Sequence, residues 1–193
     1  MTSLEDKSRY ILEFEERFAY ILATKVLNKP KLSLWMILIP FLLVFYMQSL
    51  QRYKTGLKAF ADNYMTTPKL ALEAAIAKLN QGEMLSLDTM PELKELSGEA
   101  RQKLKELYDL LIEHYTDLLQ KDGGSFEALV QSTYQNRTNY LLFLNQLNKA
   151  EKALNAALKP HLSMTTTGVN DIIRAIERYS EEIRRNTANL IFT

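Results

Sequence analysis

The segment Leu104–Leu119, with the sequence LKELYDLLIEHYTDLL, decides the fold class because its apolar residues recur every three or four positions. This spacing places Leu104, Leu107 and Leu111 on one face of an α-helix. The same pattern extends back to Leu93 and ends before Asp122-Gly123-Gly124. We therefore predict a long amphipathic helix that packs against other helices.

Two further apolar stripes follow this helix. Ser125 is expected to cap a helix that ends at Pro160, and a last helix is expected after Thr165-Thr166-Thr167-Gly168. The first stripe contains Phe126, Val130, Tyr134, Leu141, Leu144, Leu147 and Leu154, and the second contains Val169, Ile172, Ile173, Ile176, Ile183 and Leu190. Wide stripes joined by short loops predict an antiparallel three-helix bundle region over residues 82–193.

The N-terminal residues 1–31 form another amphipathic pattern. Apolar residues at three- and four-residue steps predict a helix from about Leu4 to Leu27, which ends before Pro30. The opposite face is expected to carry the charged residues Glu13, Glu15, Glu16 and Arg17. This acidic face argues against adsorption to anionic lipid and favours packing on a partner helix.

A charge-free run of twenty residues, 32–51, stands apart from the charged sequence around it. As a helix it would be about 30 Å long, which is close to the thickness of the hydrocarbon core of a bilayer. Its predicted membrane residues are Leu32, Leu34, Trp35, Met36, Ile37, Leu38, Ile39, Pro40, Phe41, Leu42, Leu43, Val44, Phe45, Tyr46, Met47 and Leu50. Aromatic residues and lysines or arginines flank both ends, as in interfacial belts.

Three interpretations of this run compete. The first is a single transmembrane helix that kinks at Pro40, because proline cannot donate a helical hydrogen bond. The second is a re-entrant or interfacial hairpin, which the positive charge on both flanks would suit. The third is a central core helix in a soluble bundle, since the strictly apolar part, 34–47, is short.

Beyond the run, juxtamembrane helices are predicted over residues 52–81. The helical pattern continues without a break to Thr66-Thr67-Pro68, so the membrane helix is expected to leave the bilayer as one rod. Thr67 and Pro68 are then expected to open a helix from Lys69 to Asn80. The fold class predicted for the whole chain is all-α: a membrane-anchored helical bundle with one proline-kinked transmembrane or re-entrant helix.

Composition excludes several classes of function. The chain of 193 residues has a net charge of +1, so no basic field indicates nucleic acid. It contains no cysteine and only two histidines, which argues against thiolate chemistry and histidine metal sites. Motifs for nucleotide binding and for hydrolase or metalloprotease chemistry are absent from the sequence. No catalytic residue, cofactor or metal site is therefore predicted.

One weak polar cluster remains, formed by Glu113, His114 and Asp117. A histidine and a carboxylate one helical turn apart could share a proton or help to hold a metal. The favoured interpretation is a solvated face beside the apolar stripe. The arginines of the last helix, including Arg184, are likewise assigned to a solvated face because glutamates interleave with them.

These observations lead to three hypotheses about function. The first is a non-enzymatic, single-pass, membrane-anchored interaction or scaffold protein of a bacterial inner membrane. Its expected partners are the lipid bilayer and a protein or second copy bound through helical faces. The second is a membrane-attached sensor or binding module that holds a small ligand in the bundle. The third is a membrane enzyme that uses Glu113 and Asp117.

Overall fold

The computed structural model describes residues 2–27, 40–81, 96, 98–163 and 169–193. Its helices are α1 Leu4–Val26, α2 Pro40–Tyr64, α3 Thr66–Gln81, α4 Gly98–Gln120, α5 Phe126–Tyr134, α6 Arg137–Ser163 and α7 Val169–Ile191. These described residues contain no strand. The predicted all-α helical bundle is thereby confirmed.

Local capping starts α1 and closes α4. The Ser3 Oγ accepts a hydrogen bond from the Asp6 amide at 3.0 Å, which satisfies one of the free donors at the start of α1. Lys7, one turn further along, is buried and donates from Nζ to the Leu119 carbonyl oxygen at 3.1 Å. A cation near the C-terminal end of α4 interacts favourably with the helix dipole there. The Lys7 side chain therefore holds α1 against α4.

The main hydrophobic core unites both halves of the chain. Leu107, Leu111 and Leu118 of α4 lie in it, as the periodicity predicts. The same core also contains Ile11 of α1 and Leu72 of α3. Because these side chains are excluded from water together, α1 and α3 pack into one body with the C-terminal helices.

A second, smaller apolar cluster lies where α1, α2 and α7 meet. Its buried members are Phe18, Leu22 and Ile183, with Phe60 and Tyr64 of α2 packed against them. The C-terminal half of α2 is thus held on the bundle. This cluster also forms one side of the polar site described below.

The predicted membrane run lies partly outside the described residues. Leu32–Ile39 are not described, whereas residues 40–51 form the first half of α2. No helix in the described part of the chain combines the length and the hydropathy required to cross a bilayer. A kink at Pro40 would be defined by the residues before and after it. The residues before Pro40 lie outside the described part of the chain, so the kink stays a prediction.

The rod predicted after the run is present, but the next helix begins earlier than expected. Helix α2 continues unbroken to Tyr64, and α3 begins at Thr66 rather than at Lys69. Pro68 therefore lies in the first turn of α3 and not at its first position. Its missing amide is harmless there because the first four amides of a helix have no intrahelical acceptor.

The single helix predicted between Ser125 and Pro160 is in fact two helices. Ser125 caps α5 as predicted, with Oγ accepting from the Ala128 amide at 3.2 Å. The chain then leaves the helical path at Gln135, whose φ is 63°, and Asn136 caps α6 by accepting from the Asn139 amide at 3.0 Å. Pro160 does not end α6, which extends to Ser163.

The register of the last helix also differs from the prediction. Ile183 is buried as expected, but Ile172 and Leu190 are 46% and 76% exposed. Ser180, Arg184, Ala188 and Ile191 are buried at four- and three-residue steps instead. The inward face of α7 therefore carries a charged residue, and the assignment of Arg184 to a solvated face is wrong.

Candidate functional site

Arg184 of α7 forms a buried ion pair with Glu151 of α6. The guanidinium is held by two parallel hydrogen bonds, Nη1 to Oε2 and Nη2 to Oε1, each 2.6 Å long. Nη1 also donates to the Asn148 Oδ1 at 2.6 Å. Arg184 is only 8% exposed, so this two-pronged pairing compensates for its loss of water.

Tyr64 and Phe18 connect the same guanidinium to α2 and α1. The Tyr64 hydroxyl accepts from Arg184 Nη2 at 3.2 Å and donates to Glu151 Oε1 at 3.3 Å. The Arg184 guanidinium carbon lies 5.0 Å from the centre of the Phe18 ring, within cation–π range. Burial, together with the charge of Glu151, raises the pKa of Tyr64 well above its ordinary value, so this hydroxyl stays protonated.

Glu15 of α1 also belongs to this site, but its loss of water is compensated less well than that of Arg184. Its Oε1 accepts a hydrogen bond from the Tyr115 hydroxyl at 2.9 Å. Among the described residues it has no cationic partner within ion-pair distance. Burial raises the pKa of Glu15 to about 7, although the Tyr115 hydrogen bond and the Arg184 charge oppose this shift. The carboxyl group therefore changes charge near neutral pH.

A small cavity lies between these polar groups. Its volume is about 90 Å³, and its charged lining residues are Glu15, Glu151 and Arg184. The rest of the wall combines aliphatic side chains, among them four leucines, with the aromatic residues Phe14, Phe18, Tyr64, Tyr115, Phe126, Tyr140 and Phe143. Such a void has room for several water molecules or for a small ligand.

His114, from the weak polar cluster, also borders this cavity. It is 5% exposed, its Nδ1 lies 2.7 Å from the Tyr134 hydroxyl, and its ring stacks on Phe143 at 4.0 Å. Burial lowers the pKa of His114 to about 3, so the imidazole is neutral at physiological pH. The interpretation of His114 as part of a solvated face is wrong.

The other two members of that cluster remain on the surface. Glu113 and Asp117 are exposed, and together with His114 and Tyr134 they line a shallow groove of about 330 Å³. The hydrogen bond of His114 goes to Tyr134 and not to a carboxylate. No group of three or more potential metal ligands occurs within the described residues.

The sequence assigned Glu15 to the charged face of the first helix and Arg184 to a solvated face, and both assignments are wrong because both residues line the interior cavity. Glu15 lies four residues after Ile11 and three before Phe18, and both of these are buried. Arg184 similarly lies four residues from both Ser180 and Ala188 on the inward face of α7. A charged residue at the helical spacing of an apolar stripe could have indicated a buried charge from the sequence. Which charges pair with each other across helices can be seen only in the tertiary structure.

The fold and the site define a class of protein: an all-α bundle with a buried, hydrogen-bonded charge cluster beside an aromatic cavity. Comparison of the chain with models of known protein families, with curated proteins and with solved structures produced no significant match. The chemistry of these residues is therefore the basis on which a function can be proposed.

Proposed function

We propose that this chain is a non-enzymatic helical binding protein that is attached to a membrane through residues 32–51. The observation that carries the proposal is the continuity of α2. Its first residues, from Pro40, belong to the charge-free run, and its last turn, at Tyr64, is built into the bundle. A segment joined to the bundle by a continuous helix can hold the bundle at a fixed position relative to a bilayer.

The second half of α2 supports this attachment because it is packed firmly. Leu57 is buried, and Phe60 and Tyr64 contact the cluster formed with α1 and α7. The sequence supports it independently, since twenty uncharged residues with aromatic and basic flanks are typical of membrane segments. Whether the segment spans the bilayer or re-enters it, and its location in a bacterial inner membrane, stay predictions.

Association with a protein partner or with a second copy also stays a prediction. Ile21 of α1 and Leu190 of α7 are exposed apolar side chains beside one groove, and they support it. No part of the proposal involves nucleic acid, because the net charge of +1 provides no basic field.

Membrane fractionation tests the attachment. The wild-type chain is expected to stay in the membrane pellet after a carbonate wash, whereas Ile37→Asp combined with Val44→Asp should release it. Each charge at a bilayer centre costs about 3 kcal/mol or more. Leu142→Asp is the matched control, because Leu142 is exposed on α6 and should tolerate the charge. Quantitative release of the wild-type chain into the soluble fraction would contradict the proposal.

A second candidate function is the binding of a small ligand inside the bundle. The cavity beside Glu15 and Arg184 favours it, because binding sites combine an apolar wall with a few oriented polar groups. The enzyme hypothesis lacks comparable support, since Glu113 and Asp117 lie on the surface and His114 is engaged with Tyr134.

A further inference from the structure

We propose that the aromatic cavity between Glu15 and Arg184 binds a small organic cation, namely an ammonium ion with about three or four heavy atoms. The inference rests on the second candidate function above, ligand binding in the bundle, and specifies the ligand's chemical class. It does not depend on membrane attachment. Charge balance, the nature of the cavity wall and cavity size each support it.

Charge balance is the first support. Two carboxylates, Glu15 and Glu151, face a single guanidinium, and His114 is neutral. Arg184 directs its two parallel hydrogen bonds to Glu151, so within the described residues Glu15 accepts a hydrogen bond only from the Tyr115 hydroxyl, at 2.9 Å. A cluster with Glu15 ionised therefore carries one negative charge in excess, which a cationic ligand would neutralise.

The aromatic wall is the second support. Rings from α1, α2, α4, α5 and α6 surround the cavity, among them Phe14, Tyr64 and Tyr140. Aromatic faces attract cations through their quadrupole, and cages of such rings are a common means of recognising alkylated ammonium groups. A hard metal ion is disfavoured, because it requires about six oxygen ligands and both carboxylate oxygens of Glu151 are already engaged by Arg184.

Size is the third support. A cavity of about 150 Å³ admits benzene, which has six heavy atoms. The present cavity of about 90 Å³ is correspondingly suited to a smaller molecule. An anion is disfavoured, because Arg184 already donates to Glu151, Asn148 and Tyr64, and both carboxylates would repel it.

Ligand binding is expected to be coupled to the protonation of Glu15. The groups that face this carboxyl are Tyr115 of α4, Arg184 of α7, Tyr64 of α2, and Glu151 and Tyr140 of α6. With the pKa of Glu15 at about 7, the ionised fraction rises about tenfold between pH 6 and pH 8. A cation that requires the carboxylate should bind about tenfold more tightly at pH 8 and should displace a proton at pH 6.

Isothermal titration calorimetry on the full chain tests this inference with trimethylammonium chloride. 2-Propanol serves as the neutral ligand with the same arrangement of heavy atoms, and sodium chloride at equal concentration controls for ionic strength. Saturable binding of trimethylammonium alone, tighter at pH 8 than at pH 6, is expected. Titrations in two buffers of different ionisation enthalpy should reveal proton release at pH 6.

Variants assign the binding to the cavity. Glu15→Gln keeps an acceptor for Tyr115 but removes the charge, so trimethylammonium binding should be lost. Glu16→Gln changes the exposed neighbouring residue and should bind as the wild type does. If Glu15→Gln does not fold, the proton release measured on the wild-type chain decides the question, and its absence contradicts the inference.

The outcomes separate the two proposals. Binding of 2-propanol without trimethylammonium would overturn the cationic ligand and leave ligand binding in the bundle supported. Equal binding of both compounds, or unchanged trimethylammonium binding in Glu15→Gln, would also overturn the cationic specificity. Failure of both compounds to bind would contradict ligand binding in this cavity as a whole.

Discussion

Glu15 illustrates how a single charged residue can lie on the inward face of an amphipathic helix. It occupies a position in step with Ile11 and Phe18, where an apolar residue is normally expected. Its carboxyl group is only partly buried and receives the Tyr115 hydroxyl at 2.9 Å. The single hydrogen bond offsets the cost of desolvation incompletely, and the pKa rises from 4.5 to about 7 as a result.

This shift predicts a pH-dependent stability that Glu15→Gln should remove. Between pH 4.5 and about 7 the folded state binds more protons at Glu15 than the unfolded state does, so the free energy of unfolding falls as pH rises. From pH 5 to pH 8, Glu15→Gln should gain about 1–2 kcal/mol relative to the wild type, after allowance for partial exposure.

Urea denaturation at several pH values measures this difference. The control is Glu16→Gln, at the exposed neighbouring position, whose curve should run parallel to that of the wild type. If the Glu15→Gln and wild-type curves were parallel as well, Glu15 would not titrate in this range and the interpretation of its environment would be wrong.

At the scale of elements, the break between α5 and α6 results from local hydrogen bonds that compete with the helix. The Asn136 amide donates to the Tyr134 carbonyl oxygen, only two residues back, at 2.7 Å, and the Asn139 Nδ2 donates to the same carbonyl oxygen at 3.0 Å. Asn136 then supplies a new cap. Asparagine side chains favour such caps over helix interiors, whereas the apolar periodicity on both sides runs through the break.

Glycine at position 135 should therefore stabilise the protein. Gln135 has a φ of 63°, a left-handed conformation that costs a residue with a Cβ about 1 kcal/mol more than it costs glycine. We expect Gln135→Gly to raise the free energy of unfolding by about 0.5–1 kcal/mol. Thermal or urea unfolding measures the change.

The matched control is the same substitution within a regular helix. Gln146 is exposed in the middle of α6, so Gln146→Gly should lower the free energy of unfolding by about 0.5 kcal/mol. Opposite signs for the two substitutions are expected. A destabilised Gln135→Gly variant would show that the break between α5 and α6 is not held by this conformation.

At the scale of the whole molecule, Arg184 connects four helices through one side chain. It contacts Glu151 and Asn148 of α6, Tyr64 of α2 and Phe18 of α1, and itself belongs to α7. Because the C-terminal end of α2 is bound here, the position of the predicted membrane segment is linked to the interior charge cluster.

Removal of this guanidinium should be costly, because it leaves Glu151 buried without its partner. We expect Arg184→Met to lower the free energy of unfolding by about 3–5 kcal/mol. Arg184→Met combined with Glu151→Leu should recover much of this loss, because no buried charge of the pair then remains unpaired. Urea denaturation of the single and double variants measures both effects.

An exposed ion pair between the same two helices provides the comparison. Lys152 Nζ and Glu181 Oε2 lie 3.1 Å apart, and the two side chains are 48% and 41% exposed, so Lys152→Met should change the free energy of unfolding by less than about 1 kcal/mol. A similar small effect for Arg184→Met would mean that the interior pair contributes no more than a surface pair, contrary to the structure.

The sequence by itself determined the helical fold, the face that α4 buries and the cap at Ser125. These features depend on residues three or four positions apart, whose interactions any helix brings together. Only the tertiary structure decided that Glu15, Glu151 and Arg184 share one cavity and that His114 turns inward. A buried charge is tolerable only when distant residues supply its partners, so its placement follows from how the helices pack and not from local periodicity.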